Sequence, residues 1–82
     1  MIRISKVSKL GPSEVIMAAK GFFGSPGIGM AVVDEGDCCL RLEGFGGHVF
    51  VQTEDQGDQK GSQVTIEGRE FEYQIKEFLA KI

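Results

Sequence analysis

One histidine, two cysteines that stand side by side, and no apolar run near bilayer length set the first limits on this chain. The usual structural zinc set is four Cys or His ligands, and His48 with the adjacent Cys38 and Cys39 cannot supply it. In an extended chain, neighbouring side chains point to opposite faces, which keeps two adjacent thiols apart. Cys38 and Cys39 therefore read as reduced thiols in a strand, with a vicinal-thiol redox or metal pair as the alternative. A membrane helix needs about 20 apolar residues in a row. The opening Met1-Ile2-Arg3-Ile4-Ser5-Lys6 lacks the apolar stretch of a signal peptide. These two readings give the expectation of a cytoplasmic protein without a membrane partner. A basic excess is missing as well. Nine Lys and Arg face twelve Asp and Glu, and the net charge of −3 leaves few contacts for a phosphate backbone. The basic residues stand singly along the chain, so no nucleic-acid partner is expected.

What is present is ordinary for a folded protein. The 82 residues are the length of one domain. With 41% hydrophobic and 26% charged residues, the chain is neither disordered nor fibrous in composition.

Ile2, Ile4, Val7 and Leu10 mix spacings of two and three, which predicts a strand over 2–9 with a bulge near Ser5 or Lys6. Gly11-Pro12-Ser13-Glu14 opens a helix: Pro12 suits its first position, and Glu14 suits the positive end of the dipole. Val15, Ala18, Ala19, Phe22 and Phe23 form its apolar stripe, and Gly24-Ser25-Pro26-Gly27 ends it. Strands follow at 29–34, 38–43 and 48–53, joined by the turns Glu35-Gly36-Asp37 and Gly44-Phe45-Gly46-Gly47. Residues 54–62 carry no apolar side chain and read as an exposed loop. A strand over 63–69 leads into a final helix from about Glu70, with Phe71, Ile75, Phe78, Leu79 and Ile82 on its apolar face. The Glu72–Lys76 and Glu77–Lys81 pairs support that helix. The expected architecture is α+β: an antiparallel meander in the order β-α-β-β-β-β-α, with both helices on one sheet face.

No catalytic constellation emerges. The glycines near 24–29 follow a helix, and those at 44–47 lack the Lys-Ser/Thr of a phosphate loop, so turn chemistry accounts for both groups. His48 has no carboxylate and nucleophile assignable by spacing and reads as a surface or turn residue. Glu54, Asp55 and Asp58 lack calcium-loop spacing. Glu67, Glu70 and Glu72 read as a strand end and an exposed helix face. The sequence therefore predicts no metal ligand, no cofactor-binding residue and no catalytic residue.

The aromatic residues carry more information. Phe22, Phe23, Phe71, Tyr73 and Phe78 lie on the helices and are mostly core candidates. If Leu40, Leu42, Val49 and Val51 face the helices, then Cys39, Arg41, His48, Phe50 and Gln52 face away, joined by Val32 or Val33. Apolar area on such a face marks a partner or ligand surface. Arg41, Phe45, His48, Phe50 and Gln52 are the candidate residues, and a twisted strand that tucks Phe50 inward is the competing reading.

The run Ile4-Ser5-Lys6-Val7-Ser8-Lys9-Leu10-Gly11-Pro12-Ser13-Glu14-Val15, and the final strands leading into a long amphipathic helix over 71–82, resemble the two ends of helix-grip domains. That superfamily includes START and polyketide-cyclase-like proteins, and this chain would be a shortened form. The resemblance implies a sheet gripping the last helix, an apolar cavity between them, and no universal catalytic residue to transfer. The favoured expectation is a non-enzymatic binding or interaction module, in its specific form a homodimer through the open sheet face. A reduced helix-grip protein binding a small apolar ligand is the second expectation, and a small enzyme the third.

Overall fold

The computed structural model describes residues 1–25, 27–57 and 61–82, which leaves Pro26, and residues 58–60 of the loop reading over 54–62, outside the described residues. The elements are β1 (Ile2–Ser8), α1 (Pro12–Phe23), β2 (Ala31–Glu35), β3 (Cys39–Gly44), β4 (Gly47–Asp55), β5 (Ser62–Arg69) and α2 (Glu72–Lys81). This is the expected order, and all five strands form one antiparallel sheet in the sequence β1-β5-β4-β3-β2. Three hairpins generate β2 to β5, and β1 then closes the far side against β5.

Alternation decides the packed face. Leu40 and Leu42 of β3, Val49 and Val51 of β4, and Val64 and Ile66 of β5 are fully buried. Val15, Ile16, Ala19 and Phe23 of α1 and Ile75, Phe78 and Leu79 of α2 cover them. The helices meet through Phe22, Phe23 and Phe78, whose ring centroids lie 5.0–5.4 Å apart in edge and tilted arrangements. Gly68 of β5 admits α2 to the sheet, since a Cβ there would collide with the Ile75 side chain. Pro12 begins α1, and Glu14 accepts the Gly11 N–H at 3.2 Å, satisfying an amide that the helix leaves free.

Several local expectations are corrected. β1 has no bulge: it pairs with β5 without interruption from Ile2 to Ser8. Its irregular apolar spacing arises because two polar residues occupy the inward phase. Lys6 donates to the Leu79 carbonyl, and Ser8 donates to the Ile82 carbonyl at 2.8 Å. Both satisfy carbonyls that the end of α2 leaves open, and the lysine also suits the negative end of the helix dipole. Val7 is correspondingly turned outward and 62% exposed. The sheet's bulge lies in β2, where the register shifts between Val32 and Asp34. β2 starts at Ala31 rather than 29, because the Met30 N–H bonds back to the Phe23 carbonyl and ties the link to α1. Polar residues 54, 55 and 62 are strand rather than loop: Glu54 pairs with Gln63, and Asp55 with Ser62. Ser62 is buried because its hydroxyl donates to the Leu10 carbonyl at 2.7 Å. Tyr73 is not core but 72% exposed, since it falls off the Phe71, Ile75, Phe78 and Leu79 stripe. Glu72 pairs with Lys76 at 3.3 Å, whereas Lys81 lies over the Phe22 ring, 5.1 Å from its centroid.

The cysteines are the plainest correction. Cys38 and Cys39 are joined by a disulfide. The expectation of separated thiols assumed that both lie in an extended strand. Cys38 instead occupies the bend before β3, so the alternation that would separate the side chains does not apply to it.

Candidate interaction surface

The helices cover one face of the sheet and leave the other open. Registered pairing places its side chains in rows across the strands. The central row runs Arg3 (β1), Glu67 (β5), Phe50 (β4), Arg41 (β3), Asp34 (β2). On one side of it lie Ser5, Thr65, Gln52 and Cys39, and on the other Arg69, His48, Glu43 and Ala31.

Phe50 is half-buried on this open face and takes no part in the core beneath the helices. The Arg41 guanidinium lies over its ring, 5.8 Å from the centroid. That contact shields the ring from water at one side and holds the cation near the π-face. Arg41 Nε is also 3.7 Å from Glu43, and Arg3 Nε is 3.5 Å from Glu67. Ser5 and Thr65 share a hydroxyl hydrogen bond of 3.0 Å. These contacts are exposed, and each contributes little to the stability of the isolated chain.

Of the residues singled out in the sequence, Arg41, His48, Phe50 and Gln52 come together on this face. Phe45 does not join them. It occupies the tip of the β3–β4 hairpin, 71% exposed, with φ of +54° followed by Gly46 at +81°. Positive φ at both central residues is the two-residue hairpin geometry whose twist matches the strands. A bulky residue is rare there, and the Phe45 ring reaches back toward Gly29. Val33 stands at the β2 bulge, and Val32 takes the phase of Leu42; both remain exposed.

Arg3, Thr65 and Glu67 belong to the surface and were absent from the sequence-based set. Their alternation along β1 and β5 is visible in the sequence, but Arg3 reaches the surface only because β1 lies beside β5, and Thr65 and Glu67 only in the register that β5 takes on β4. The acidic residues 67, 70 and 72 are dispersed: Glu67 is on the open face, Glu70 lies between β5 and α2, and Glu72 pairs within α2. No group of three or more His, Cys, Asp or Glu side chains converges among the described residues. Nor, among them, is any helix long and apolar enough to cross a membrane. No family model, no curated protein and no solved structure matches the chain.

Proposed function

We propose that the chain is a non-enzymatic association module of the cytoplasm, with the open sheet face as its contact surface and a second copy of the chain as its partner. The observation that carries this reading is Phe50: a large aromatic at the centre of a helix-free face, beside an arginine and flanked by charge. Aromatic and arginine side chains are the usual anchors of protein interfaces, and they act from the centre of a contact ringed by polar groups.

Phe50→Asp tests it, read by circular dichroism and light scattering together. The expected result is a folded variant that no longer self-associates, because the charge would be fully desolvated only in the contact. A folded variant with the mass of the wild type would overturn the reading. An unfolded one would return Phe50 to a role in the fold.

A small apolar ligand bound in helix-grip fashion is the second reading. It draws on α2 lying against β1 and β5. The space such a ligand would use holds Phe23, Phe78 and Ile75, all buried. Native mass spectrometry of protein purified without detergent tests it, and a retained lipid-sized mass would favour it.

A further inference from the structure

We infer that the second copy docks face to face with the first about a two-fold axis that runs along β4, parallel to the strands. This rests on the self-association reading above and specifies its geometry. The order of charges across the sheet sets this geometry. From β1 to β2 the central row reads positive, negative, aromatic, positive, negative: Arg3, Glu67, Phe50, Arg41, Asp34.

A two-fold axis makes the same patch serve both copies. If the axis lies along β4, the row of one copy meets its own reverse. Arg3 then faces Asp34 of the other copy, Glu67 faces Arg41, and Phe50 faces Phe50. Four opposite-charge pairs surround a central aromatic pair. The neighbouring row obeys the same rule, because Arg69 on β5 faces Glu43 on β3. If the axis instead ran across the strands, along the row, Arg3, Glu67, Arg41 and Asp34 would each meet their own copy. Like charges set opposite one another across an interface oppose association. Of these two arrangements, the charge order selects the first. The selected way leaves the strands of the two sheets roughly aligned, as in common sheet-on-sheet packing. Glu54 also lies on the axis and meets its counterpart, but at the end of β4, where the twist of the two sheets moves the strands apart.

The existing ion pairs do not compete strongly. Arg3–Glu67 and Arg41–Glu43 are exposed contacts of 3.5 and 3.7 Å, and such pairs re-partner at little cost. Size fixes the strength. Five strands at about 4.8 Å spacing, with lengths near seven residues at about 3.3 Å each, give a face roughly 20 Å in each direction. That is small beside a standard interface, so the dimer should be weak and depend on concentration and salt.

The test is sedimentation of the full chain across a concentration series at low ionic strength. Arg41→Glu alone should weaken the dimer about tenfold or more, and Glu67→Arg alone should do the same. Mixed in equal amounts, the two variants should associate with near wild-type strength, because each mutated position then faces its opposite charge. The mixing arm separates this from loss of the Arg41–Phe50 contact, which mixing does not restore. Arg3→Glu and Asp34→Arg form an independent pair on the outer strands, should either central variant misfold by circular dichroism. If the wild type dimerises and Phe50→Asp does not, but Arg41→Glu leaves the affinity unchanged or the mixture fails to recover, the axis is wrong while the surface stands. A wild type that stays monomeric throughout overturns the surface and the axis together.

Discussion

Leu40, Leu42, Val49, Val51, Val64 and Ile66 alternate along three strands with Cys39, Arg41, His48, Phe50, Gln52, Thr65 and Glu67. The first set is buried under two helices and the second forms the open face. The two faces share a backbone, so the difference between them is one of side chains alone. On the packed face the residues fit one another closely, and removing volume leaves a hole that the surroundings fill only in part. On the open face the contacts are single, polar and wet, and their removal is cheap for the fold. Stability should therefore be concentrated on one side of the sheet and recognition on the other.

Phe78→Ala should have the largest effect on the packed face. Phe78 is buried between Phe22, Phe23 and the sheet, and it joins the two helices. Truncating a buried phenylalanine costs about 3–5 kcal/mol. A domain of this size holds about 5–15 kcal/mol in total. The thermal midpoint should fall by more than about 10 °C. A fall of only a few degrees would mean that α2 is peripheral and that the packed face does not hold the stability. Phe50→Asp, by contrast, should lower the midpoint far less while removing association, so the two phenylalanines separate the two faces.

The packed face was legible in the sequence because its signals are local. Alternation along 38–53 and the apolar stripe of the last helix depend on residues within a few positions of each other. The same alternation placed Arg41, His48, Phe50 and Gln52 on one surface. Arg3 joins that surface only through the pairing of β1 with β5, for which no local periodicity exists. Glu67 stands beside Phe50 through the pairing of β4 with β5, whose register runs through Glu54, Asp55 and Ser62, polar residues that read as loop. Lys6 and Ser8 misled in a different way. Polar residues in an inward phase look like a slip in register, until the end of α2 supplies the carbonyls they satisfy. The alternation of Leu40 and Leu42 with Arg41 and Glu43 carries a strand reading back to Cys38, and the bend that takes Cys38 out of it has no strong sequence mark.

The β3–β4 hairpin holds a residue that belongs to neither face. Phe45 holds a positive φ that costs a non-glycine residue about 1–2 kcal/mol. Phe45→Asn would create Asn-Gly, the favoured pair for this two-residue turn. The expected outcome is a gain of roughly 0.5–1 kcal/mol in chemical denaturation, with the register of β3 and β4 unchanged. A loss instead would show that the ring's approach to Gly29 outweighs the strain. If the more stable variant also associates less, Phe45 belongs to the partner surface after all.

The smallest effect is expected from reducing the disulfide. Cross-links stabilise mainly by closing loops in the unfolded chain, and Cys38 and Cys39 are adjacent, so almost no loop is closed. The bend that carries them is held by bonds in which sulfur takes no part. The Cys38 carbonyl accepts the Thr53 N–H at 2.7 Å and the Thr53 hydroxyl at 2.9 Å, and the Cys39 carbonyl accepts the Gly36 N–H at 2.8 Å. Backbone geometry there should survive in both redox states. Because Cys38 is exposed, dithiothreitol should reduce the pair in the native protein, with two cysteines becoming available to alkylation. In a reducing compartment such a pair would be found mostly as thiols, with no loss of fold. The measurement is alkylation followed by mass spectrometry, beside thermal unfolding with and without the reductant. The cost of reduction should be roughly 1 kcal/mol or less. A cooperative loss of the sheet on reduction would mean that the bond, and not the Thr53 and Gly36 contacts, holds the bend. A pair that resists alkylation until the protein is denatured would mean that this corner of the open face is closed to solvent, which would redraw the boundary between the two faces at β3.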